Sequence, residues 1–256
     1  MNTIVLMKQT FDTEEKITLA SGEVSEDGAK FVINPYDEYA VEQAIQLREQ
    51  FGGKVTVVTA GPDRSAEALR TALAMGVDEA VHLCDERLPQ DAWSVSRALA
   101  AWIAEESYDL ILGGFFSVDQ GAGQVAVRLA KLLGLPHAAA VTWLEIDQGQ
   151  ALVRRDAEGD VEVLALPLPA LITAQQGLNE PRYPTLQGIM KAKKKPYRQL
   201  TLDDLGLSED NVKAKTETVR RFLPPARNAG KLIKGDPLQK TTELIRLLQD
   251  EAKLQL

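Results

Sequence analysis

The chain has 256 residues, of which 45% are hydrophobic and 26% charged, a balance that fits a globular protein and argues against wholesale disorder. At roughly 150 residues per domain this is about 1.7 domains, and a chain of this size buries roughly 70–75% of its unfolded surface. No stretch approaches about 18 uncharged apolar residues, and MNTIVLMKQT is apolar for only a few residues before Lys8, too short for a secretory leader. One cysteine, Cys84, and two histidines, His82 and His137, leave no disulfide framework and disfavour a metal centre. A cytoplasmic protein with no membrane insertion is expected.

Charge is divided unevenly. Residues 1–190 carry 14 Lys+Arg against 28 Asp+Glu, a balance of −14, and residues 191–256 carry 15 against 9, a balance of +6. An acidic body argues against nucleic acid as the main partner, because association would begin with repulsion. The basic final third points to a separate task.

In chain order, Thr3–Met7 reads as a buried strand. Lys16–Ile33 is a polar, glycine-bearing excursion, expected to form a small hairpin. Glu38–Gln50 places Ala40, Val41, Ala44, Ile45 and Leu47 at helical spacing. Val55–Thr59 is a strand, β-branched almost throughout. Ser65–Ala74, Trp93–Glu105 and Gln124–Leu133 repeat the helical pattern, with short strands at Val81–Cys84 and Leu110–Leu112 between them. This alternation predicts an α/β fold with a parallel sheet and helices on both faces. Leu152–Arg155, Val161–Leu166 and Ala170–Thr173 are strand-like, with a turn at 157–160, and close the sheet near residue 174. After Thr173 the period is lost until Pro237–Lys253, a helix with Leu238, Leu244, Ile245, Leu247, Leu248 and Ala252 apolar. A structureless connection this long is unusual within a domain. It reads as an arm that orders against a partner, or as a flexible tail.

The strongest local chemistry lies at 110–128, LILGGFFSVDQGAGQVAVR, where a strand runs through Gly113, Gly114, Gly121 and Gly123 into a helix. Glycines admit phosphate close to backbone, and a helix N-terminus offers open N–H groups. Ser117 and Gln124 add side-chain donors. The segment matches neither G-x-G-x-x-G nor the P-loop, and such a turn is also ordinary in any α/β fold. Asn34-Pro35-Tyr36-Asp37 either caps the first helix or lines the same crevice at the carboxyl edge of the sheet, with Ala60-Gly61-Pro62 as a third wall. No catalytic set emerges. His82 and Cys84 read as packed residues, His137 as structural, and the Trp93, Trp102 and Trp143 rings as packing. Ser65, Ser94 and Ser96 have no histidine nearby in sequence to activate them. Lys191 through Lys195, behind Leu186 and Ile189-Met190, combine an apolar anchor with positive charge, which suits a transient encounter with an acidic partner.

Three blocks together resemble the electron transfer flavoprotein beta subunit. The most specific is Leu178-Asn179-Glu180-Pro181-Arg182-Tyr183-Pro184-Thr185-Leu186, followed by Gly188-Ile189-Met190-Lys191-Ala192-Lys193-Lys194-Lys195. The second is Val153-x-Arg155-x-x-Glu158-x-Asp160-x-Glu162-x-Leu164 with Pro169-x-Leu171-Ile172-Thr173. The third combines Asn34-Pro35-Tyr36, Arg70 through Gly76, and the Asp119…Gln124 loop. The resemblance spans essentially the whole chain. It implies a Rossmann-like fold of the adenine nucleotide alpha hydrolase type with an extended C-terminal arm, and three segments: a nucleotide-binding domain over 1–177, a partner recognition loop over 178–198, and an arm and helix over 199–256 that pack on an alpha subunit.

The resemblance further implies a non-catalytic electron-carrier subunit that binds AMP, partnered by an alpha subunit holding FAD. Electrons would come from acyl-CoA dehydrogenase-type donors and leave to a quinone-linked acceptor. The AMP site carries over to Leu6, Asn34, Pro35, Tyr36, Asp37, Ala60, Gly114, Ser117, Val118, Asp119, Gly121, Ala122, Gly123, Gln124 and Val125. Docking carries over to Leu186, with Ile189, Met190, Lys191 and Lys194 beside it. Bifurcating members with a second FAD look more like D-G-D-T-A-Q-V-G-P in the nucleotide loop. Here Asp119 and Gln124 are shared, whereas Gly121, Ala122 and Val127 depart, which favours AMP. Thr13 stands where some relatives place a flavin-adjacent Tyr. A free-standing nucleotide-cleaving enzyme of similar fold is the rival from another class, though no S-G-G-x-D-S loop is present.

Overall fold

The protein is described by a computed structural model covering residues 1–225, 229–251 and 253–254. It contains two compact units, Met1–Arg220 and Arg221–Leu256.

In the first unit, β1 (Thr3–Leu6) is followed by an excursion built from β2 (Gln9–Phe11), β3 (Leu19–Ala20), β4 (Glu23–Val24) and β5 (Phe31–Ile33). The expected single hairpin is two nested antiparallel ribbons, β2 with β5 and β3 with β4. Arg64 holds the excursion down, bonding Glu26 and Gln9 and lying 3.9 Å over the Phe31 ring. Next come α1 (Pro35–Phe51), β6 (Val55–Ala60), α2 (Ala66–Met75), β7 (Glu79–Leu83), α3 (Ala92–Ile103), β8 (Leu110–Gly114) and α4 (Gln124–Leu133). Pro35 opens α1 in the first turn, where its missing N–H costs nothing. Asp91 caps α3 by accepting from the Ser94 N–H at 3.1 Å. The apolar residues of α1 named from its spacing (Ala40, Val41, Ala44, Ile45, Leu47) are all buried in one core cluster against Val5, Val57 and Leu112.

The remaining strands are β9 (His137–Asp147), β10 (Gln150–Ala157), β11 (Asp160–Pro167), β12 (Ala170–Ala174) and, after α5 (Leu186–Ala192), β13 (Tyr197–Leu200). Nine strands make one sheet in the order β11-β10-β9-β12-β8-β1-β6-β7-β13. It is parallel throughout except where β10 pairs with β9 and β11. The chain moves outward from β1 through β6 to β7, then returns across β1 to β8. The carboxyl ends of β1 and β8 therefore form a topological switch point, where an open α/β sheet has its crevice.

Two strands of this sheet were not expected from the sequence. The eleven-residue β9 begins His-Ala-Ala-Ala, which lacks the β-branched residues that mark strands. Its register is also interrupted, with Ala140 at φ 59°. β13 lies in the basic, aperiodic stretch and adds to the edge of the sheet beside β7. Beyond it, Leu202 and Val212 are buried with Leu99 and Ile103 of α3. That segment has no period because it packs through isolated side chains rather than through a face.

In the second unit, α6 (Pro237–Asp250) starts at a capping box formed by Asp236 and Gln239, and Leu238, Leu244 and Ile245 of its apolar set are exposed. Among the described residues, no helix is long and apolar enough to cross a membrane.

Ile111, fully buried in β8 between β1 and β12, tests the central sheet. Ile111→Ala is expected to lower the unfolding free energy by about 2–5 kcal/mol in urea titration. A loss under about 1 kcal/mol would show that the centre is not tightly packed.

Candidate functional site

The switch-point crevice is walled by three of the expected segments. Leu6 and Ala60 come from the ends of β1 and β6, Asn34 and Asp37 from the start of α1, and Gly114, Ser117 and Ala122 through Val125 from the loop between β8 and α4. Pro35, Tyr36, Val118, Asp119 and Gly121 do not line it. Instead, the Tyr36 ring packs 4.3 Å from that of Phe116, and Gly121 turns the loop at φ 66°. A fourth wall comes from α3 and the residues before it: Gln90, Ala92, Val95 and Leu99. Nothing local marks these four, because the fold alone brings α3 to a site built from other segments.

Asn34 and Asp37 act on the loop rather than on the open space. The Asn34 carboxamide donates to the Phe116 carbonyl at 2.9 Å and accepts from the Val118 N–H at 3.1 Å. The buried Asp37 carboxylate accepts from the Lys8 N–H at 2.7 Å and from the Gly114 N–H at 2.9 Å. Burial pushes its pKa up to about 7, against the pull of those backbone donors, Asn34 and the Lys8 charge. Gly114 is required here, because a Cβ would collide with the Asp37 carboxylate and the Tyr36 backbone.

Two further contacts set the loop. The Lys8 ammonium donates to both oxygens of Asp119, at 2.8 and 2.6 Å. Gly123, the residue preceding α4, is left-handed at φ 59° and supplies no side-chain cap. The first residues of α4, Gln124 through Ala126, line the crevice with no side chain capping the helix, at the positive end of the helix dipole. Leu6, Val58, Val95 and Leu99 form an apolar wall of the same crevice. An anionic group at one end and a flat apolar group on the wall is the arrangement this geometry accepts.

A second cavity adjoins the first through Lys8, Ala60, Gln90 and Gln120, and includes Gly61 and Pro62. His82 is buried, as expected, with Nε2 3.0 Å from the Gly61 carbonyl and Nδ1 2.9 Å from the Tyr197 hydroxyl. Since a carbonyl only accepts, Nε2 carries the proton, and burial lowers the pKa of the ring. Cys84 differs from expectation. It is half-exposed in this cavity, and its thiol donates to Asp63 at 3.1 Å. Burial and that carboxylate push it up to about 11, so it remains a thiol.

The segment after Thr173 presents a different surface. Leu186 is 76% and Met190 59% exposed, and Ile189, Lys191 and Lys194 are also exposed. Thr185 caps α5 by accepting from the Gly188 N–H at 3.0 Å. Gly188 lies so close to the Ala74 carbonyl that a Cβ would overlap it. Lys195, counted from the sequence as part of a basic docking patch, is turned inward and donates to the Leu73 and Val77 carbonyls at 2.9 and 2.6 Å.

Residues 21–205 match the family model of the electron transfer flavoprotein domain. The chain is 53% identical over 256 residues to the electron transfer flavoprotein subunit beta of Bacillus subtilis, covering 99% of this chain and 100% of the relative. It is 40% identical over 257 residues to the protein of the same name from Syntrophomonas wolfei, covering 100% of this chain and 99% of the relative. Against that of Thermoanaerobacterium thermosaccharolyticum the identity is 36% over 254 residues, with 97% and 98% covered.

Asp37 has a raised pKa in the folded state, so its contribution to stability is present below the ordinary carboxyl value near 4 and is lost as pH rises toward 7. Asp37→Asn turns an amide N–H toward one of the two backbone donors and is expected to lower stability at pH 5 by about 1–3 kcal/mol. The difference between wild type and variant should shrink between pH 5 and 7, while opposing groups such as His82 cancel in the comparison. A difference that stays constant over this range in urea titrations would sink the assignment.

Proposed function

The chain belongs to the electron transfer flavoprotein beta-subunit family, and from that premise we propose that it is the nucleotide-holding, non-catalytic half of a heterodimer. The nucleotide is AMP, seated in the switch-point crevice. Its phosphate lies at the open amides of α4 and its base lies against the apolar wall of Leu6, Val58, Val95 and Leu99. The observation that carries this reading is the left-handed Gly123, which opens the helix N-terminus onto a crevice whose own carboxylate, Asp37, is already engaged by backbone donors.

Asn34 and Asp37 hold the loop, and Asp119 is held by Lys8, so the chain's acidic groups near the crevice are occupied before an anion arrives. FAD, held mainly by the alpha subunit, supplies the one- and two-electron chemistry. This chain covers it and contributes no catalytic residue. Leu186, with Ile189, Met190, Lys191 and Lys194, meets acyl-CoA dehydrogenase-type donors, and a quinone-linked acceptor receives the electrons. Residues 178–198 are the recognition loop, and residues 199–256 meet the alpha subunit through the arm and the exposed leucines of α6. The complex works in the cytoplasm.

The adjoining cavity favours a second reading, in which a longer dinucleotide such as FAD occupies this subunit and the protein bifurcates electrons. The departures at Gly121, Ala122 and Val127 weigh toward AMP.

Denaturing the purified heterodimer and identifying what it releases separates the readings. About one AMP and one FAD per heterodimer is expected. Two FAD support bifurcation, and no adenine nucleotide beyond the FAD sinks the proposal for this crevice. Leu186→Ala should raise the KM for a reduced acyl-CoA dehydrogenase by about tenfold or more, as loss of a buried anchor does, with AMP content unchanged. An unaltered KM removes Leu186 from docking.

A further inference from the structure

The segment that exposes apolar side chains is also tightly fastened. All three guanidinium nitrogens of Arg182 are engaged: Nε and Nη2 donate to Glu42 at 2.8 and 2.9 Å, and Nη1 and Nη2 to Glu49 at 2.7 and 3.1 Å. The Arg182 backbone N–H adds a bond to Glu42 at 3.2 Å. Asn179, three residues earlier, donates to the Tyr39 carbonyl at 3.0 Å and to Gln43 at 3.2 Å. Tyr39, Glu42, Gln43, Gln46 and Glu49 fall at helical spacing on one stripe of α1, with Gln46 bracing Glu42 at 2.8 Å. At the other end, Gly188 and Lys195 fix the segment to α2.

Between these two attachments the side chains face solvent. Tyr183 is 91% exposed, beyond even Leu186. Pro181 and Pro184 on either side remove backbone freedom. An ion pair whose Glu42 side chain is 4% exposed is weak support for stability, since desolvation offsets most of the attraction. What the fork geometry provides is shape. A loop held rigid while it offers an aromatic and a leucine is pre-organised for association, because less freedom is lost on contact. Lys191, Lys193 and Lys194, exposed beside it, select an acidic rim on the partner.

We infer that Arg182 is a positioning residue of the docking segment, and that Tyr183 is a second anchor which it presents, beside Leu186, to a protein redox partner with an acidic rim. This rests on the reading that the Leu186 region docks.

The test uses the complete heterodimer with an acyl-CoA dehydrogenase reduced by its acyl-CoA substrate. Tyr183→Ala and Arg182→Ala should each raise KM by about tenfold with kcat little changed. Arg182→Lys should recover only part of the loss, since an ammonium cannot make both forks. Arg182→Ala should also speed hydrogen exchange at the amides of 180–185 by about tenfold or more, with AMP content unchanged. Because that variant strands the buried Glu42, Asn179→Ala serves as a second release of the loop and should shift exchange and KM the same way. If Leu186→Ala raises KM while Tyr183→Ala, Arg182→Ala and Asn179→Ala do not, the inference is overturned and the docking reading stands. If Leu186→Ala is also silent, both fall. A wild-type KM that does not rise with salt overturns the acidic partner.

Discussion

Where β1 and β8 lie side by side and the chain leaves them toward opposite sides, their carboxyl ends must part. The carboxylate of Asp37 spans the gap, taking the N–H of Lys8 beyond one strand and that of Gly114 at the end of the other. It also anchors the first turn of α1 to both. The loop after β8 is kept at this point by Gly114 and Asn34, and the excursion after β1 departs from Lys8. A buried carboxyl group is costly unless its oxygens are satisfied, and here both oxygens are satisfied only while the three segments stay together.

The same helix serves two surfaces. The apolar stripe of α1 packs on the sheet, its first turn closes the crevice, and a polar stripe grips the segment carrying Asn179 and Arg182. Crevice and the segment proposed to dock are therefore mounted on the same helix. A second connection runs through His82, whose ring joins the Gly61 carbonyl at the rim of the adjoining cavity to Tyr197 on the strand after α5.

The charge asymmetry acquires a finer meaning once positions are known. Lys191, Lys193 and Lys194 remain exposed, but Lys195 donates to the Leu73 and Val77 carbonyls around the end of α2, and Arg198 bonds Glu79 at 2.7 Å and Glu106 at 3.0 Å. Part of the basic run is internal mortar between the sheet edge and the acidic body, and only part is available to a partner. Periodicity and composition cannot separate these uses, since a lysine has the same character whether its ammonium meets water or a helix carbonyl.

The sequence by itself determined the class of fold, the four main helices and the central strands, because burial on a sheet imposes periods of two and 3.6 that survive in the order of residues. It also marked the glycine loop and the family motif over 178–195, since backbone conformation and motif are local properties. The partners of these residues were decided by tertiary structure alone. α3 became a wall of the crevice, His-Ala-Ala-Ala became a strand between two others, and a polar stripe of α1 met Arg182, 140 residues away from Glu42. Each depends on pairing between distant segments, and a pairing is a property of two positions at once, which no single stretch of chain records.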